Sequence, residues 1–375
     1  MRWDIFCQII DNYGDAGVCW RLARSLSTSS SLNQDDIRIR LFCDDLSTLN
    51  KIAHGDAISF GASLGIEVLP WGASESIQQF QTVGDVVIEA FACQIPPTFI
   101  EAMIAQKAED NKNLKDFKSS GPLWINLEYL TAESWADEMH TLPSPQNNGL
   151  QKFFYFPGFT KKTGGLILGD WDNVTQSLTP PDSLIKSWAL SRPGAKKVSI
   201  FNYKHAPLES WLNDLDQISN QLGQLVDVMV CANQNISDDF FRRDFRALQL
   251  IQLPFIPQED YDWLLSQCDF NLVRGEDSFV RAQWAKRPFI WDIYPQSDSA
   301  HEIKLQAFLE LYFKEASREL HSFGINAMKW ASPVNWWAQL PIWRAHSENW
   351  AKKLRDLSTL ESKITHFVKS QEKSR

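Results

Sequence analysis

The sequence predicts an α/β protein made of two doubly wound, Rossmann-like domains facing a central cleft, with a helical carboxyl terminus. Three observations carry that reading. Nearly continuous apolar runs of strand length alternate with helical periodicities, the pattern of parallel strands covered on both faces. The alternation stops in a weakly periodic stretch rich in Pro, Gly, Ser and Asn, from Thr131 to about Pro193, and then restarts. At 375 residues the chain also exceeds what one hydrophobic core usually supports. We divide it into residues 1–180, residues 195–345 and a helical segment over 346–375, with a linker near "SRPGAKK".

Each element has its own signal. "RWDIFCQII" reads as the first strand, and "VCWRLARSLS" spaces its apolar residues as a helix does. "IRIRLFCDD", "IEVLPW", "DVVIEAF" and "LWINLEYL" continue the first set of strands, with "TFIEAMIAQKAE" as a helix between the last two. The second set opens with the strand "KVSIFNYK" and the helix "LESWLNDLDQISNQL". The strands "LVDVMVCAN" and "LQLIQLPFIP" follow, then the helix "QEDYDWLLSQC". The strand "DFNLVRGEDS", the helix "FVRAQWA" and the strand "RPFIWDIYP" complete it, and after Gln296 the pattern is helical to the end.

Composition excludes several functions. A net charge of −9 opposes nucleic acid as the main ligand, because phosphate backbones select basic surfaces. No apolar run reaches the length of a membrane span, and the start "MRWDIFCQII" reads as a strand rather than a signal peptide. The six cysteines stand without CxxC pairing or a histidine at metal spacing. We therefore expect reduced, buried thiols, a cytoplasmic protein and no metal. The sixteen tryptophans invite a sugar-stacking reading. However, Trp3, Trp20, Trp124 and Trp291 lie inside apolar patterns, where core packing accounts for them.

In doubly wound sheets ligands bind outside the carboxyl ends of strands, which singles out two polar loops. "DNYGDAG" follows the first strand and places Asp11 and Asp15 between glycines. Asp15 or Gly17 is a possible cap for a helix starting near Val18, whereas the pair of carboxylates at a strand end suggests chemistry. The order is not GxGxxG, so dinucleotide oxidoreductases lose their main support. "RGEDS" sets Arg274, Gly275, Glu276, Asp277 and Ser278 between a strand and a helix. A helix N-terminus with an arginine beside it suits a phosphate. Ser278 either caps that helix or meets the ligand, and Glu276, a carboxylate beside a phosphate site, requires a sugar hydroxyl, an acceptor cation or a structural partner. Phe201 and Tyr203 in "SIFNYK", with Phe255 and Gln258 in "LPFIPQEDY", offer aromatic faces and an amide for a nucleobase. For Phe255, and less so for Tyr203, core packing competes. His205 and His301 read as solvated.

"IDNYGDAGVCWRLARSL" together with "NLVRGEDSFVRAQWAKRPFIWDIYPQ" resembles the bacterial arginine rhamnosyltransferases that modify translation elongation factor P. "SIFNYK" and "LPFIPQEDYD" match the family in order and position, so the resemblance runs from the first strand to the helical end. It implies a B-type (GT-B) inverting glycosyltransferase that uses dTDP-β-L-rhamnose and no metal. The amino-terminal domain would bind the acceptor protein and the second domain the nucleotide sugar. By the same resemblance Asp11, Asp15 and Glu276 match essential carboxylates. Phe201, Tyr203, Phe255 and Gln258 lie around the base, and Arg274, Asp277 and Ser278 around the deoxyribose and diphosphate. The residues also admit a transferase for another nucleotide sugar or a small acceptor, or a non-catalytic nucleotide sensor.

Overall fold

In the computed structural model, which describes residues 1–11, 13–28, 37–75, 82–113, 121–296 and 299–374, the apolar runs become the strands of two sheets. Two units result, Met1–Gly169 with Leu354–Arg375, and Asp170–Lys353. The first contains β1 (Arg2–Cys7), α1 (Gly14–Thr28), β2 (Arg38–Cys43), α2 (Leu46–Ile52), α3 (Ala57–Ser63), β3 (Ile66–Pro70), β4 (Val86–Ala90), α4 (Pro97–Asn113), β5 (Leu123–Leu127), α5 (Ala136–Met139), β6 (Pro143–Pro145) and β7 (Gln151–Tyr155). The second contains α6 (Trp171–Gln176), α7 (Ile185–Trp188), β8 (Lys196–Ile200), α8 (Leu208–Gln221), β9 (Val226–Val230), α9 (Asp238–Phe241), β10 (Leu248–Gln252), α10 (Gln258–Gln267), β11 (Phe270–Arg274), α11 (Asp277–Trp284), β12 (Phe289–Asp292), α12 (Ala300–Tyr312) and α13 (Arg318–Met328). Helix α14 (Leu340–Asp356) leads out of it, and α15 (Leu360–Ser374) belongs to the first unit.

The first sheet has the order β3-β2-β1-β4-β5-β7-β6, parallel except for the β6–β7 pair. The second has the order β10-β9-β8-β11-β12 and is parallel throughout. Strands β4, β5 and β9 are buried along their whole length, as expected of sheets covered on both faces. Among the parallel strands of each sheet the order reverses once, between β1 and β4 and between β8 and β11. Those reversals are where a doubly wound sheet opens a crevice at its carboxyl edge.

The stretch from Thr131 to Pro193 is more ordered than its composition suggested. It supplies β7, a parallel partner of β5, in which Phe153 and Tyr155 point into the core and alternate with the half-buried Lys152 and Phe154. The final helix α15 packs Leu360, Ile364 and Val368, spaced four apart, into the core around β1. The tryptophans are mostly core. Trp336, Trp337 and Trp343 surround Phe270 with ring centroids 5.3 to 5.8 Å away, and Trp3, Trp20, Trp124 and Trp291 are also buried. All six cysteines are buried free thiols.

One half-buried histidine makes the first unit acid-sensitive. His140 ends α5, its Nδ1 accepts the Phe156 N–H at 3.1 Å, and its ring lies against Tyr155. Burial, helped by the Lys363 charge, pushes its pKa down to about 4. The folded value lies below the unfolded one, so the contribution is intact above about pH 6.5 and is lost as pH falls toward 4. Partial exposure screens the shift to on the order of 1 kcal/mol. Denaturant unfolding at pH 7 and pH 5 should show a loss that His140→Gln, which still accepts from Phe156, reduces. An equal loss in both proteins would exclude His140 as its source.

Candidate active site

At the carboxyl edge of the first sheet, the β1–α1 loop folds back on a single carboxylate. Asp15 is 2% exposed. Its Oδ2 accepts the backbone N–H groups of Ile10 and Asp11, both at 2.8 Å. Its Oδ1 accepts the Tyr129 hydroxyl at 3.2 Å. Three donors thus converge on one buried carboxylate and fix its direction. Asp11 is half-buried at the head of the same loop, and its carbonyl accepts the Gly14 N–H. A Cβ at position 14 would stand 2.8 Å from Asp11 Oδ2, so only glycine lets that carboxylate lie over the start of α1. Asn12 lies outside the described residues.

This geometry corrects the capping alternative. Helix α1 begins at Gly14, four residues before the expected Val18, and Asp15 and Gly17 are inside it. Neither is the cap. Asp15 instead reaches back to tie the loop to the first turn. Two supports were not anticipated. Phe91, Ala92 and Gln94, after β4, all have left-handed backbones (φ 57°, 53° and 57°), a conformation that costs non-glycine residues energy. Asn126 and Glu89 side chains hold that loop by accepting from the N–H groups of Ala92 and Gln94. The Phe91 ring then stacks on Tyr129 at 4.2 Å, and Tyr129 meets Asp15. No pattern in the sequence marks residues with positive φ unless they are glycine or asparagine.

In the second unit, the loops after β8 and β11 meet at the strand-order reversal. The Arg274 guanidinium lies 4.3 Å from the Phe201 ring centre and 4.9 Å from that of Tyr203, and its Nη1 donates to the Asn202 carbonyl at 3.2 Å. Gly275 turns the chain with φ +64°, and its carbonyl accepts from Trp291 Nε1. Glu276 is the N-cap residue of α11, but its side chain makes no capping bond, so the first N–H groups of the helix are not covered by it. Ser278 is buried in the first turn of α11, which removes the capping role considered for it. Gln258, the first residue of α10, donates to Asp277 Oδ2 at 2.9 Å and so joins the two helix starts. Arg281 and Gln283, further along α11, are fully buried and structural.

The aromatic residues divide differently from expectation. Tyr203 is 8% exposed and packs among Arg274, His205 and Tyr294, whereas Phe255, on the loop before α10, is 38% exposed. Phe255 is thus the open face and Tyr203 a packed support. His205 does not stand alone. Its Nε2 lies 3.1 Å from Asp292 Oδ1, a pairing between residues 87 positions apart that only the sheet order brings together. His301 accepts the Gln296 N–H through Nδ1.

Comparison with known proteins places this architecture. Residues 3–369 match the family described as Elongation-Factor P (EF-P) rhamnosyltransferase EarP. A protein-arginine rhamnosyltransferase of Pseudomonas putida KT2440 is 36% identical, with 98% of each chain covered. A solved structure concerned with EarP-mediated arginine glycosylation of translation elongation factor EF-P superposes with a TM-score of 0.63 at 27% identity, covering 98% of this chain and 99% of that one. The calicheamicin glycosyltransferase CalG4 shares the fold alone, with a TM-score of 0.52 at 11% identity over 99% of this chain and 98% of its own.

Proposed function

The chain belongs to the EarP family of EF-P rhamnosyltransferases, and from that premise we propose that it moves rhamnose from dTDP-β-L-rhamnose to one arginine of translation elongation factor P. It is a protein-arginine rhamnosyltransferase of the α/β glycosyltransferase fold. The observation that carries the assignment of roles is the Asp15 carboxylate, buried and held by three donors beside Asp11.

An arginine is a poor nucleophile, because its guanidinium is delocalised and protonated at neutral pH. In the proposed step one guanidinium nitrogen forms a bond to the anomeric carbon as the bond from that carbon to the dTDP oxygen breaks. The proton leaving that nitrogen goes to Asp15, while Asp11 orients the cationic side chain. The negative charge that develops on dTDP is met by Arg274 and the first N–H groups of α11. One direct displacement turns the β donor into an α-rhamnosyl product. Phe201, Tyr203, Phe255 and Gln258 surround the thymine, and Asp277 and Ser278 hold the deoxyribose and diphosphate. Reduced thiols suit a cytoplasmic enzyme.

Incubating the chain with elongation factor P and dTDP-rhamnose should raise the intact mass of the acceptor by one deoxyhexosyl unit, placed on an arginine by fragmentation. The transfer should persist in excess EDTA, because the proposed phosphate partners are Arg274 and backbone N–H groups. No mass change, or preferred use of another nucleotide sugar, would overturn the donor and acceptor assignment. Loss in EDTA with rescue by magnesium would overturn the phosphate site.

A further inference from the structure

The donor unit carries a buried carboxylate that the proposed reaction does not use. Asp292 ends β12, in register with Arg274 on β11, and is 3% exposed. A carboxylate beside an anion site is repulsive unless something neutralises or redirects it. Two groups do so here. Asp292 Oδ2 accepts the Tyr203 N–H at 2.7 Å, which anchors the loop after β8 to the end of β12. Asp292 Oδ1 lies 3.1 Å from His205 Nε2. Burial pushes the Asp292 carboxyl above its ordinary range, opposed by the Tyr203 N–H, by His205 and by the Asn202 side chain.

The His205 side chain is 49% exposed, although its partner is buried. Its ring runs parallel to Tyr203, 13° apart with centroids at 5.9 Å, and Arg274 lies over that same tyrosine. With Nε2 directed at Asp292, Nδ1 is the remaining ring nitrogen, and in the doubly protonated ring it is a donor. We propose that His205 is a further donor-binding residue, oriented by Asp292, that places its Nδ1 on the terminal phosphate of the nucleoside diphosphate. Asp292 is then a positioning residue with two tasks: it fixes the Tyr203 loop through the backbone and aims the His205 ring. This rests on the reading of the second unit as the dTDP site.

The test is calorimetric titration of the full-length chain with dTDP and with dTMP, which lacks the terminal phosphate. His205→Ala should weaken dTDP by about tenfold or more, the range of a hydrogen bond to a charged group, and leave dTMP nearly unchanged. Asp292→Asn keeps an oxygen for the Tyr203 N–H, so it should reproduce that selective loss. The double variant should lose little more than His205→Ala alone, since the two act as one unit. Phe255→Ala should weaken both nucleotides alike. Unchanged dTDP affinity in His205→Ala, or parallel losses for dTDP and dTMP, would overturn the inference while leaving the donor site in place. His205→Gln provides a second, half-exposed substitution with little bearing on folding. If the parent chain binds neither nucleotide, or Arg274→Ala leaves dTDP binding intact, the donor reading fails and this inference falls with it.

Discussion

Exchanging Asp15 for Asn is expected to slow rhamnosyl transfer by about 10²–10⁴-fold, the usual contribution of a general base, and to leave dTDP affinity unmoved. The geometry makes this substitution informative. Asn offers one acceptor oxygen, which can keep both backbone bonds from Ile10 and Asp11. Its amide then faces the Tyr129 hydroxyl, whose oxygen can accept as well as donate. The loop therefore keeps its ties and the basic oxygen alone is lost. Asp15→Ala would instead strand two N–H groups and confuse folding with chemistry. If Asp15 only ties the loop to α1, the Asn protein retains its rate. Single-turnover transfer to elongation factor P, run beside calorimetric dTDP binding, separates the two. Near-normal turnover in a folded Asp15→Asn protein sinks the assignment of the base. Asp11→Asn should act mainly through acceptor affinity.

Much of the scaffold was legible because parallel strands buried on both faces leave nearly continuous apolar runs, such as "DVVIEA" and "VDVMV". The loops that matter were legible for the same reason. Once strands β1, β8 and β11 are placed, the polar residues after them must lie at the carboxyl edge. Four features were hidden. The start of α1 was misplaced because Gly14, Asp15 and Gly17 are turn formers in isolation, whereas in the structure Asp15 sits inside the helix and reaches back to the Ile10 and Asp11 N–H groups. Strand β7 was missed because its neighbours are prolines and asparagines, and its pairing with β5 is non-local. The pairing of His205 with Asp292 depends on the order β8-β11-β12, which local pattern does not encode. The left-handed residues after β4 were invisible because phenylalanine, alanine and glutamine carry no signal for positive φ.

Breaking the Arg281–Asp262 pair is expected to destabilise the second unit by about 3–5 kcal/mol, the cost of leaving one buried charge uncompensated. Neither side chain is exposed by more than 2%, and the contact is bidentate, Nε to Oδ1 at 3.0 Å and Nη2 to Oδ2 at 2.9 Å. The guanidinium also lies over the Trp171 ring at 4.7 Å. Arg281→Met abandons Asp262 in this setting, and Asp262→Leu abandons Arg281. The double variant leaves no buried charge, so its stability should return to near the parent value, as hydrophobic replacement of buried ion pairs often does. Function should not recover equally. The pair joins the middle of α10 to α11, the two helices whose first turns carry Gln258 and Asp277. An apolar contact fills the same space without fixing direction, so the Gln258–Asp277 bond should loosen and dTDP affinity should stay below that of the parent. Denaturant unfolding of both single variants and the double, with dTDP titration of the double, tests each half. Single substitutions costing under about 1 kcal/mol would mean that the pair is solvated like a surface bridge. Full donor affinity in a stable double variant would show that the pair serves stability alone.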